Sequence, residues 1–476
     1  EPRVMMIALD AVPPELLHQW CDDGTLPNLR QLREESTAGT TESVADLLPG
    51  AVWPTLITGT DPSFHGIEAF MQWEPKTQSF RRPSREWLEI EPFWKALARR
   101  QVPGVVMDVA FAQPHADYGP VVEVQGWGMH DELVPAFSQP AGLLKEIHKN
   151  YGKSGLRPDV PGPRSKAVMT RDLRLLVGMV PQRTSIVAEL AGRFPWRFLF
   201  AVYSESHRAG HWFWTERYSG KAHAGLKRVV VEFDRELPRL RAFLQPRDVL
   251  VVFSAHGFGT NHDIDRFSDG VGEALEPETT GRPAQRFDPV RLVNQLLPQG
   301  LRHSVAAVFP TTVRDRLFAH SLSAGRDWAN TKTLVTVPDG HLYFRANVKG
   351  REKEGCLEPS ELDAHLAALT DEIMAIRNER GEEVFEGVVR LSDRYQGPRL
   401  DLLPDLVASI HQRPIGDVLT LRDGREVRVP ARGFRDGDHR PTGFYLMAGP
   451  DIAKAATGEA LSGEVAVSRF LGTVGL

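Results

Sequence analysis

The sequence predicts an α/β fold: an αβα sandwich with a mostly parallel central sheet and a cap inserted over one sheet edge. Three observations predict it. Short apolar runs that end in a polar residue recur along the chain, as buried parallel strands do. Stretches of helical period separate them, which implies helices on both faces of the sheet. A polar, Gly/Pro-rich tract then breaks the alternation once, between about residues 265 and 330.

The elements follow in order. RVMMIALD (3–10) is an apolar run closed by Asp10, and AVPPELLHQWCDDG (11–24) opens on prolines and closes on glycine, as a helix does. EPFWKALARRQ reads as a helix and VPGVVMDV as the strand after it; SIVAELAGRF and WRFLFAVYS repeat the pair. LKRVVVEFDRELPRLRAFL and RDVLVVFSAHG repeat it again. Beyond the cap, TLVTVPDGHLYFRAN returns the chain to the core and PSELDAHLAALTDEIMAIRNE is a long helix. PDLVASIH and GFYLMAGPDI read as late strands. The expected organisation is a first core segment 1–264, a cap 265–330 and a second core segment 331–476.

Composition narrows the function. Of 476 residues, 41% are hydrophobic and 25% charged, ordinary globular values, and the chain is long enough to bury a large core. A net charge of -5 and a pI near 6.4 argue against nucleic acid or an anionic membrane as partner. The two cysteines, Cys21 and Cys356, build neither a disulfide framework nor a Cys-rich zinc module. No apolar run reaches the ~20 residues of a membrane span. A cytoplasmic location is the default expectation, and a small molecule, anionic or neutral, is the expected partner; no feature sets an oligomeric state.

Chemistry concentrates at the strand ends. His207 and His211 in SESHRAGH lie four apart, directly after a strand, and so share one helix face. His256 follows the strand in VVFSAHG, and His439 lies in GDHRPTG, a polar turn before another strand. Singly these would serve as an exposed helix start, a strand-end cap and a surface turn. Together with Asp10 they make a metal-site inventory at the sheet edge where open α/β sheets bind ligands.

These residues resemble the alkaline phosphatase superfamily, and within it the type I phosphodiesterase/nucleotide pyrophosphatase branch. IALD matches its first strand, and WPTLITGTDPSFHGI (53–67) its TG-x-x-P-x-x-HG signature. SAHG resembles its SDHG, SHRAGH its D-x-x-GH, and GDHRPTG the segment of its last ligand histidine. The resemblance runs from residue 10 to 443. It implies two adjacent ions, usually zinc, and a Thr or Ser nucleophile attacking phosphorus or sulfur.

The departures matter more. His207 stands at the Asp position of D-x-x-GH, and Ala255 at the Asp position of SDHG. Counting back from Gly59 puts Pro49 at the nucleophile position; Thr55 and Thr58 match the helix that follows it. The expectation is therefore one ion, zinc or another divalent transition metal, on His207, His211 and His439. Its open position would activate water. Asp10 and His256, too few to bind a second ion tightly, are expected as ligands to it or as acid/base and orienting groups.

Weaker candidates surround these. His130 and Asp131, beside Trp127, lie in a Gly-flanked loop that would line the pocket. Glu205 and Asp438 would orient His207 and His439. Arg208 and Arg440 would meet an anionic group, and Trp212, Phe213 and Trp214 would form an apolar wall. The leading reading is a metal-dependent hydrolase. The alternatives are a metal-dependent lyase, isomerase or transferase on the same scaffold, and a binding protein without catalysis.

Overall fold

The computed structural model describes residues 1–476 apart from 130–135, 157–163, 263–274, 276–312, 314, 317–318, 320–326, 337–339, 430–434 and 456. The expected cap lies mostly outside the described residues, as do His130 and Asp131.

Among the described residues, nine strands form the central sheet: β1 (Val4–Leu9), β2 (Thr37–Glu42), β3 (Gly104–Met107), β4 (Val121–Gln125), β5 (Phe137–Gln139), β6 (Phe198–Tyr203), β7 (Val249–Ser254), β8 (Thr442–Ala448) and β9 (Leu461–Ser462). Their order is β9-β2-β8-β7-β1-β6-β3-β4-β5. The central five, β7 to β4, run parallel, whereas β8 is antiparallel to both its neighbours and β5 to β4.

Strand period 2 divides β1 between two cores. Met5, Ile7 and Leu9 enter one apolar cluster, built with helices Pro14–Asp22, Lys166–Arg193 and Ala224–Arg241. Val4, Met6 and Ala8 enter the other, under helices Val52–Thr58, Phe93–Arg99 and Gly463–Gly472. The sheet is thus covered on both faces, and its parallel strands are apolar at nearly every position because neither face meets water.

The second half of the chain departs from a simple return to this sheet. Thr333–Thr336, His341–Ala346, Leu406–Ile410 and Phe385–Arg390 form a separate four-stranded antiparallel sheet. It packs with helix Leu362–Ala375 around a core of its own. The chain rejoins the main sheet only at β8. SIVAELAGR proves to be the last part of a 28-residue helix, Lys166–Arg193, whose earlier buried face includes Asp172 and Arg183. No described helix is long and apolar enough to cross a membrane.

Candidate metal centre

The site forms at the carboxyl ends of the parallel strands. Asp10 follows β1, and its N–H continues the ladder to the Tyr203 carbonyl at 3.2 Å. The chain then turns through Ala11 at φ 63°, a left-handed conformation that costs energy for a residue with a side chain. The Ser254 hydroxyl accepts the Val12 N–H at 3.1 Å and holds that turn closed. Helix Glu205–Phe213 begins just after β6 and carries His207 and His211 one turn apart. His256 follows β7. His439 lies not in a turn but in a short strand, Gly437–Arg440, paired with Gly257–Thr260 so that Phe258 faces His439.

Two glycines let this strand pair lie against the helix. A Cβ on Gly210 would stand 2.5 Å from the Phe258 ring, and one on Gly437 2.3 Å from the Gly210 carbonyl oxygen. Both are impossible contacts for a larger residue, which is a physical reason for glycine between the two helix histidines.

Asp10, His207, His211, His256 and His439 come together, and all are buried. His207 Nε2 lies 3.1 Å from His211 Nε2 and 3.4 Å from His439 Nε2. A tetrahedral ion with Zn–N bonds of about 2.0–2.1 Å would hold its ligand nitrogens about 3.3–3.4 Å apart. The protons fit as well. His211 Nδ1 donates to the Gly437 carbonyl at 2.9 Å, which leaves its Nε2 as a bare lone pair. His207 Nδ1 faces Asp10 Oδ2 at 3.2 Å. With its proton on that side, a second bare lone pair faces the first, an arrangement that repels unless a cation lies among the nitrogens. These three histidines fit a metal ion.

Charge states agree. Burial, reinforced by the positive charge of Arg435, holds His211 well below the ordinary histidine range. Burial holds His439 at about 4 although Asp438 pulls upward. Both are neutral at pH 7, as ligands must be. Burial alone would raise the Asp10 carboxyl, but His207 and His256 together hold it well below the usual carboxylate range.

The weaker candidates divide. Glu205 turns away from His207: its Oε1 accepts from Arg183 Nε at 2.8 Å. Asp438 Oδ1 stands 3.5 Å from His439 Nδ1 and accepts the His439 N–H at 2.9 Å. Arg440 donates to the carbonyls of His439 and Thr260. Trp212, Phe213 and Trp214 are all core residues, and Arg208 is buried. Trp127 is buried and donates to the Gly152 carbonyl at 3.0 Å.

Pro49 opens a single 3-10 turn, Pro49–Ala51, ahead of the helix that contains Thr55 and Thr58. His65 Nδ1 accepts the Ile67 N–H at 3.1 Å, so its Nε2 carries the proton and donates to Thr55 Oγ1 at 3.0 Å. His65 is therefore a donor to Thr55 and not a base for it.

Three groups near the site escape sequence reading. Phe258 packs its ring 4.7–6.2 Å from all four site imidazoles. Trp53 Nε1 donates to Asp10 Oδ1 at 3.2 Å. Arg183, fully buried, joins Glu205 to Asp108, whose Oδ2 it meets at 2.6 Å, and so ties the start of the histidine helix to the end of β3. Its partner Asp108 had a partial signal, since it follows the strand run VVM as Asp10 follows IAL. An arginine in a helix and a phenylalanine after a glycine read as surface and core.

Residues 4–413 match the family model for type I phosphodiesterase/nucleotide pyrophosphatase. The chain belongs to this family. The type I phosphodiesterase/nucleotide pyrophosphatase family consists of hydrolases of the alkaline phosphatase superfamily, so the chain is placed among them. No curated protein sequence matches it. Among solved structures it resembles phosphonoacetate hydrolase from Sinorhizobium meliloti, with phosphonoacetate bound, at TM-score 0.55 and 14% identity over 99% of this chain and 95% of that one. It also resembles murine ectonucleotide pyrophosphatase/phosphodiesterase 5, at TM-score 0.55 and 12% identity over 100% and 95% of the two chains. A threonine-to-alanine variant of the murine protein, in complex with AMP, is described as inactive and aligns at TM-score 0.54 and 12% identity over 100% and 96%. At such identities the likeness concerns the fold.

Proposed function

We propose that the protein is a metal-dependent hydrolase that cleaves a phosphoric-ester or related bond in a small anionic molecule, with water as the nucleophile. One ion, zinc by its donor chemistry, would be held by His207, His211 and His439. The observation that carries the reading is that His207 Nε2 lies 3.1 and 3.4 Å from the Nε2 atoms of His211 and His439, the spacing of ligands on one ion. Such an ion supplies Lewis-acid polarisation and lowers the pKa of water to about 7.

The chain's own residues do the rest. Three neutral ligands take up none of an ion's charge, which favours an anionic substrate. Asp10 takes the Nδ1 side of His207 and keeps its Nε2 turned toward His211 and His439. His256 meets acceptors on both nitrogens: the Gly257 carbonyl 3.2 Å from Nδ1 and Asp10 Oδ1 3.5 Å from Nε2. It is the group assigned the acid/base role at the leaving-group oxygen. A covalent route has no support: Pro49 offers no nucleophile and Thr55 receives a hydrogen bond from His65.

The test is metal content by elemental analysis, with hydrolysis of bis(p-nitrophenyl) phosphate, for wild type and His207→Ala purified without added metal. The expected result is about one equivalent and measurable turnover, both lost in the variant. A wild type without metal, or a metal-free variant that is still active, overturns the reading.

A further inference from the structure

We infer that Trp53, together with Ala255, keeps this centre mononuclear by filling the half-site that a second ion would need. The inference rests on the three-histidine reading above and concerns the opposite side of His207.

That side does gather Asp10, His207 and His256. Their surroundings, however, suit protons and not a cation. Asp10 Oδ1 accepts the Trp53 indole N–H at 3.2 Å. An indole nitrogen is a donor only, so its partly positive hydrogen takes the lone pair toward which an ion would have to lie. Asp10 Oδ2 faces His207 Nδ1 at 3.2 Å, and His207 already turns Nε2 to the other group. Position 255 offers a methyl group in place of a carboxylate, and position 49 a proline in place of a hydroxyl.

The indole is held where it is. Trp53 is buried on helix Val52–Thr58, with its ring 6.4 Å from that of Phe200. Leu48, Ala51, Val52, Trp53 and Ala255 all belong to one apolar cluster. An ion brought there would lose water and gain a single carboxylate already occupied by the Trp53 indole N–H and faced by two imidazoles. Trp53 thus acts as a specificity-determining residue for metal number, through its hydrogen bond to Asp10.

The experiment is zinc stoichiometry and affinity by equilibrium dialysis, with folding checked by circular dichroism. Four proteins are compared: wild type, Trp53→Phe, Ala255→Asp and the double variant Trp53→Phe/Ala255→Asp. Wild type should bind one zinc and the double variant two. Ala255→Asp alone should take its second ion at least ~10-fold more weakly than the double variant, the cost of leaving one charge-assisted hydrogen bond in competition. A second zinc in wild type held within tenfold of the first overturns the inference and leaves the three-histidine site standing. So does equal second-ion affinity with and without Trp53. Wild type that binds no zinc overturns the three-histidine reading itself. Should the double variant fail to fold, Trp53→Phe decides: its second-ion affinity should exceed that of wild type by ~10-fold, and no increase refutes the role of the indole.

Discussion

Replacing Gly210 by alanine tests the packing that aims the three imidazoles, because helix propensity and tertiary fit predict opposite signs. In a helix interior, glycine to alanine should stabilise by about 1 kcal/mol. Here the new methyl would stand 2.5 and 2.6 Å from two carbons of the Phe258 ring. Carbon atoms in good contact are about 3.5–4.0 Å apart, so the ring must retreat by roughly 1 Å. It has nowhere neutral to go. The ring centres of His211, His439 and His207 lie 4.7, 5.2 and 5.4 Å away, and those rings must move with it. Overpacking of this kind costs about 1–3 kcal/mol, which outweighs the propensity gain.

The sensitive readout is metal affinity, not melting temperature. At about 2.1 cal/mol/K per residue, 1 kcal/mol moves the midpoint of a chain of this length by only about 1 K. Disturbing groups that orient metal ligands typically costs 10–100-fold in affinity, or about 1.4–2.7 kcal/mol. Competition of Gly210→Ala with a chelator for zinc should therefore show a loss in that range while far-UV circular dichroism is retained. Unchanged or tighter zinc binding with a raised midpoint would show that propensity wins and that the Phe258 contact does not orient the site.

Other outcomes follow from the same geometry. His211→Ala should abolish metal retention and activity while leaving the chain folded, as dialysis and circular dichroism would show; full activity in that variant removes the site. Thr55→Ala should leave turnover nearly intact and cost about 1–3 kcal/mol of stability, because the buried His65 Nε2–H loses its acceptor; complete loss of turnover would restore a covalent mechanism. Metal retention should depend on pH with a definite sign. Protons compete with the ion for each imidazole, and burial holds His439 at about 4 and His211 well below its ordinary value. The ion should stay bound at pH 6 and leave as the pH falls toward 4, measured by dialysis at stepped pH. Release near 6.5 would mean that the ligands titrate as exposed histidines.

Much of the scaffold was legible residue by residue. The strand runs at 3–10, 196–204, 247–257 and 443–452 became β1, β6, β7 and β8, because a parallel strand buried on both faces must be apolar throughout. Where reading stopped short, a longer-range influence took over. Helix Lys166–Arg193 was seen only in its last part, since Arg183 and Asp172 are buried in it as ion-paired residues and dilute its apolar stripe. His439 was read into a turn because GDHRPTG is rich in polar and turn-forming residues, yet pairing with Gly257–Thr260 makes a strand of it. Strand propensity of that kind depends on the partner more than on the residues themselves. Glu205 was read as a partner of His207 from nearness in sequence, and Arg183 claims it from 22 residues away.

By itself the sequence determined the alternation of strands and helices, the sheet edge at which chemistry would gather, and the five residues Asp10, His207, His211, His256 and His439 that meet there. These are local properties: periods of 2 and 3.6, and a polar residue that closes an apolar run. Only the tertiary structure decided which nitrogen of each imidazole meets which neighbour, that Trp53 takes a lone pair of Asp10, and that Gly210 and Gly437 admit Phe258 behind the histidines. Such matters turn on distances of a few tenths of an ångström between groups as far apart in the chain as His207 and His439, 232 residues. No periodicity carries that information, because close packing of distant segments sets it.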